Sequence, residues 1–152
     1  LIDAYDISNV TTKLDGGVYD DGHNTPLAGK FSYEYDKKAY KAGDDVTVKV
    51  KGHGMQSVNA FNFVLPYRPQ DMRFVKAEAV AAKDMRNMTY DRHHSDSSQV
   101  LYPTFANVGN QAMLNGDETL CELHFKAVRS FTVKQQAPKG MAVDKNLNEL
   151  DF

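Results

Sequence analysis

Two adjacent imidazoles, His93 and His94, stand between Asp91 and Asp96, and metal binding is the chemistry such a set would serve. Neighbouring residues of a strand point to opposite faces, so the two rings cannot easily share one ion, and a solvated turn is the expected outcome. Asp20, Asp21, His23 and Asn24 place further donors on one loop, without the fixed glycine and distal glutamate of a calcium loop. Residues 144–149, DKNLNE, begin with oxygen donors at calcium-loop spacing but have no glycine at the sixth place. No metal site and no cofactor are expected from these groups. Nucleophilic chemistry has no better support, because Ser95, Ser97 and Ser98 crowd one turn with no glycine-flanked elbow. The carboxylates are spread along strand exteriors and turns, where a solvated surface explains them. A non-catalytic module is expected.

Sugar binding is a second possible chemistry. Small β-sandwiches often stack sugar rings on exposed aromatics, and Tyr40, Tyr67, Tyr90 and Tyr102 would form such a platform if they shared one face. The chain has no tryptophan, and these tyrosines are divided among several strands.

Composition narrows the classes. The 152 residues suit one hydrophobic core, and 18 basic against 20 acidic side chains leave a net charge of -2. No basic run follows a phosphate backbone, so nucleic acid is not an expected partner. No stretch approaches the roughly 18 continuous apolar residues of a membrane span, so no membrane insertion is expected. The single cysteine, Cys121, leaves no internal disulfide, and its inward place in an alternating strand marks it as a small buried hydrophobe.

The elements that would position these groups are short strands. Residues 57–69, SVNAFNFVLPYRP, alternate so that Phe61, Phe63 and Leu65 share one face and Ala60, Asn62 and Val64 the other. The first face needs a core. The second carries an asparagine between small or branched apolar residues, which suits a flat, partly dry surface better than a freely solvated one. Phe31, Tyr33 and Tyr35 form another inward row, as do Val46, Val48 and Val50. Cys121, Leu123 and Phe125 are expected to point inward, with Leu120, Glu122, His124 and Lys126 outward. Residues 72–80 are a strand candidate whose continuation through Ala81, Ala82 and Met85 has helical propensity. Residues 88–93 and 99–107 form a hairpin about a polar turn. Residues 1–29, with a possible strand at 7–13, are expected to be a leader, a linker or an outlying strand, and 30–152 the folded domain. The pattern as a whole predicts an all-β, antiparallel β-sandwich.

Five segments in order carry a family resemblance: 42–50 (AGDDVTVKV), 58–67 (VNAFNFVLPY), 101–107 (LYPTFAN), 116–127 (GDETLCELHFKA) and 140–149 (GMAVDKNLNE). Together they resemble a cohesin module, over residues 30–149. The resemblance implies a jelly-roll sandwich of about nine strands and a secreted or surface-attached bacterial module. Its partner would be a dockerin, a small helical module carrying its own calcium, presented by a secreted carbohydrate-active enzyme. The receiving sheet would comprise 58–66, 88–93, 99–107 and the run ending near Val143, with Ala60, Asn62, Val64, Tyr90, Thr104, Asn107 and Val143 as dockerin-binding residues. A monomer is expected. Asn62 and Asn107 stand where common cohesins carry acidic residues, so a charge-based partner preference does not transfer. The last strand is expected to be very short, or replaced by residues 1–29. A carbohydrate-binding module of a glycoside hydrolase is the alternative.

Overall fold

The computed structural model describes residues 26–109 and 111–152. The expected strand at 7–13 and the donors Asp20, Asp21, His23 and Asn24 lie outside these residues.

The inward rows do what alternation requires of them. Val46, Val48 and Val50 on β3 (Asp45–Val58) have no exposed surface, nor do Phe61, Phe63 and Leu65 on β4 (Ala60–Tyr67). Phe61 stacks on Phe105 and meets Phe63 edge to face, each pair with centroids 5.3 Å apart. Each fully buried phenylalanine contributes about 1.5–3 kcal/mol by leaving water. Because β3 and β4 belong to different sheets, their buried faces close on one another.

One sheet has four strands in the order β1, β3, β10, β5, with β1 at Ala28–Tyr35, β5 at Met72–Ala79 and β10 at Leu114–Ala127. The other is seven-stranded and runs from β13 (Glu149–Asp151) through β12 (Lys139–Val143) to β4. Beyond β4 lie β8 (Ser98–Tyr102) and β7 (Tyr90–Ser95), with β9 (Thr104–Ala106) and β6 (Arg86–Asn87) continuing their lines. A two-stranded ribbon of β2 (Ala39–Tyr40) and β11 (Phe131–Thr132) closes one end. Every pairing is antiparallel. Among the described residues there is no helix, and the architecture is the expected jelly-roll β-sandwich.

The break between β8 and β9 falls at Pro103, which has no N–H to give the ladder but still accepts from Phe63 N at 2.8 Å. β6 and β7 are likewise one broken strand, bridged by Met88 N donating to Thr104 O. With these joined and the small ribbon set aside, nine strands remain among the described residues.

Two expectations fail locally. Simple alternation places Leu120 outward, yet it has no exposed surface. The register slips between Thr119 and Cys121 against β3, and this bulge turns Leu120 in beside Cys121. Residues 81–84 form a turn instead of a helix, because Ala81 N and Ala82 N donate across to Thr119 O and Leu120 O. Cys121 is buried as expected, and burial pushes its thiol far above its usual range. The last strand is short: β13 has three residues and pairs with β12. Phe152 then packs on Phe31 and Phe63 at 4.6 and 5.3 Å.

Candidate functional site

The residues alternating with the core row of β4 face out of the sandwich, and register decides what stands beside them. Ala60 pairs with Ala106 on β9 and with Val143 on β12, so three small or branched side chains form one transverse row. All three lack exposed surface, and Met88 and Met141 pack against them as a second apolar cluster separate from the main core. The next row is Met141, Asn62 and Thr104, and Val64 pairs with Lys139 in the row after that. Tyr90 and Tyr102 are partners across β7 and β8 and stack with centroids 4.7 Å apart at 15°. Arg92 and Val100, also paired, extend the same face.

The centre of this face is apolar and covered: Ala60, Ala106 and Val143 form a floor with no exposed surface, packed against Met88 and Met141. Val64, Met88, Tyr90 and Met141 are the half-buried apolar side chains that remain accessible around it. Charge appears only at the edges, on exposed Arg86, Arg92, Lys139, Glu149 and Asp151.

Asn62 is the polar centre of the face. Its Nδ2 donates to Thr104 Oγ1 at 2.6 Å, and that hydroxyl donates in turn to Tyr102 O at 3.0 Å. Among the described residues the Asn62 carbonyl oxygen accepts no hydrogen bond, so the fixed amide presents an acceptor toward the face. Thr104 is almost fully buried and serves to orient Asn62.

Asn107 is placed differently from the expectation that it lies outward beside Asn62. It is 1% exposed, and its Nδ2 donates to Asn59 Oδ1 at 2.9 Å and to Ala112 O at 3.3 Å. Strand alternation is the reason. Thr104 and Ala106 face outward, so Asn107 falls on the inward side with Phe105 and is used to pin the end of β9 to β4. Ala60, Asn62, Val64, Tyr90, Thr104 and Val143 do come together on one face. Sequence reasoning did not assign Met88 and Ala106 to it, because their membership follows from cross-strand register, which no single strand displays.

The four tyrosines do not converge. Tyr40 stacks on Phe131, and Tyr67 meets Phe125 edge to face at 5.1 Å inside the sandwich. Burial, helped by hydrogen bonds to Asp36 and Asp91 respectively, pushes both phenols well above their usual range. Only Tyr90 and Tyr102 remain outside. The Asp144 carboxylate, considered above for calcium, accepts from Asn146 N, Asn148 N and Asn148 Nδ2, each at 2.9 Å. It caps a turn and has its lone pairs engaged by nitrogen donors. His93 and His94 are exposed on β7.

Solved structures share this fold. A type II cohesin domain from the cellulosome of Acetivibrio cellulolyticus aligns over 82% of this chain and 88% of its own, with a TM-score of 0.61 at 13% identity. The fold is that of a cohesin domain. A cohesin from a type I cohesin–dockerin complex of Clostridium thermocellum covers 84% of this chain and 90% of its own, at TM-score 0.55 and 12% identity. A non-cellulosomal cohesin of the hyperthermophilic archaeon Archaeoglobus fulgidus covers 80% and 83%, at 0.53 and 15%. The sequence matches no protein-family model and no curated protein. The cohesin sandwich is therefore kept here with little sequence in common, as expected of a fold held by alternation and core volume more than by residue identity.

Proposed function

We propose that this cohesin-like domain is a non-catalytic docking module that binds a calcium-loaded dockerin through the outer face of its seven-stranded sheet, and so recruits a secreted carbohydrate-active enzyme outside the bacterial cell. The observation that carries this reading is the group of half-buried apolar side chains Val64, Met88, Tyr90 and Met141 around one oriented asparagine, over a buried floor of Ala60, Ala106 and Val143, on the fold of domains solved as cohesin–dockerin complexes. Packed helices offer such a face a ridge of side chains. Val64, Met141 and the Tyr90–Tyr102 stack exclude water, while Asn62 accepts from a hydroxyl or backbone N–H of the partner. Leaving that donor unpaired in the complex would cost about 1–3 kcal/mol. Asn107 acts from behind by fixing the end of β9. Calcium belongs to the partner.

The alternative, a carbohydrate-binding module, rested on four converging tyrosines, and two of them are core residues. Calorimetric titration of the chain with the calcium-loaded dockerins encoded in its own genome, and separately with soluble glycans, distinguishes the two. Saturable dockerin binding that disappears when calcium is chelated supports the proposal. Glycan binding with no response to any dockerin overturns it.

A further inference from the structure

The outer face of the four-stranded sheet, on the opposite side of the molecule, holds a second group of side chains that the docking reading leaves unused. Glu122 on β10 is the cross-strand partner of Glu78 on β5, and His124 lies two residues further along β10, on the same face. Their donor atoms already converge. His124 Nε2 is 3.1 Å from Glu78 Oε2 and 3.7 Å from Glu122 Oε1, and one donor atom from each of the three lies within 4.8 Å of the others. Zinc bound at about 2.0–2.2 Å in a tetrahedron separates its nitrogen and oxygen ligands by about 3.3–3.6 Å; the two His124 distances bracket that range, and closing on an ion needs the two carboxylates, within 4.8 Å of one another, drawn into it.

We propose that Glu78, Glu122 and His124 form a binding site for a divalent transition-metal ion of the zinc type, with the fourth position open to water. Two neighbours outside the trio support it. Thr47 Oγ1 lies 3.5 Å from His124 Nδ1 on the far side of the ring, placed to take the Nδ1 proton and leave the Nε2 lone pair for the ion. Lys76 Nζ sits 3.5 Å from Glu78 Oε1 and leaves Oε2 to the ion. One imidazole with two carboxylates favours zinc over calcium or magnesium, which take all-oxygen shells. Lys49 is the cross-strand partner of Glu122, and Lys126, two residues beyond His124 on the same face, is held by Asp45.

Titrating the full chain with zinc chloride near pH 7.5, by calorimetry and by the imidazole nitrogen shifts of His124, tests the site. One saturable site is expected, with the Nε2 resonance moving and affinity falling at least about tenfold in His124→Ala and in Glu122→Gln. His93→Ala with His94→Ala is expected to leave binding intact. Absence of saturable binding, or binding that survives His124→Ala and vanishes in the His93/His94 variant, would show that the trio is an ion pair only. Because the wild-type nitrogen shifts report on His124 directly, a variant that fails to fold does not rescue the proposal. Dockerin binding is read separately, so either proposal can fail without the other.

Discussion

The two sheets of the sandwich both bury apolar inward faces, and they differ on the faces turned away from the core. On the four-stranded sheet the outward residues of neighbouring strands carry complementary charge: Lys51 meets Glu34 at 2.6 Å, Lys126 meets Asp45 at 2.9 Å, and His124 stands between Glu78 and Glu122. On the seven-stranded sheet the same positions hold Ala60, Ala106, Val143, Met88 and Met141, with one oriented amide and charge only at the rim. A half-exposed antiparallel strand satisfies its fold with any polar outer residue. Ala60, Ala106 and Val143 contribute stability by their burial; the half-buried Val64, Met88 and Met141 above them are the apolar residues that the docking proposal puts to use.

That contrast is most severely broken at the β12–β4 seam. Gly140 lies so close to β4 that an added Cβ would sit 2.0 Å from Asn62 O, a backbone atom that cannot swing away. Gly140→Ala is expected to cost on the order of 3 kcal/mol in a denaturant titration and to weaken docking with it, since the seam carries Met141 and Val143. Val64 is half-buried on the outer face, so Val64→Arg should keep the fold. It is expected to reduce dockerin affinity by about 100-fold, or roughly 2.7 kcal/mol, in a calorimetric titration. Thr104→Val sharpens the role of Asn62: it keeps volume, removes the acceptor at 2.6 Å and leaves a buried N–H unpaired, at a cost of about 1–3 kcal/mol in stability.

The smallest effect belongs to the charged sheet and to acid. Lys51, Lys126 and His124 hold the carboxyls of Glu34, Asp45 and Glu78 below their usual range. Each folded value lies below its unfolded one, so the stabilisation is fully present above the unfolded values of 4.5, 3.8 and 4.5. It is lost as pH falls through the depressed folded values. All three carboxylates are solvent-exposed, so thermal melts between neutral pH and about pH 3 should show only a modest decline from this source. Lys51→Ala with Lys126→Ala should flatten that decline and leave dockerin affinity unchanged.

Much of this architecture was legible because period-two alternation survives on a single strand. The rows Val46, Val48, Val50 and Phe61, Phe63, Leu65 are read from the sequence and buried as read. The outward row Ala60, Asn62, Val64 was legible for the same reason. Most of what failed depends on events between strands. A one-residue bulge turned Leu120 inward; Asn107 is three residues from Thr104 and so of opposite parity, and the motif match set it outward where alternation through Phe105 and Ala106 puts it inside. Tyr40 and Tyr67 are aromatics whose hydroxyls find Asp36 and Asp91, which lets them be buried where a surface platform was an alternative. Glu78 and His124 are 46 residues apart, and only the β5–β10 register brings them together.

The central claim is that one outer face docks a partner and the other does not. Transfer of saturation from a calcium-loaded dockerin to the deuterated chain, read amide by amide, tests it most directly. The expected result is loss of signal at Ala60, Asn62, Val64, Thr104, Ala106 and Met141, with Lys49, Glu78 and His124 unaffected. Loss confined to the β3, β5 and β10 amides, with β4 and β12 silent, would contradict it.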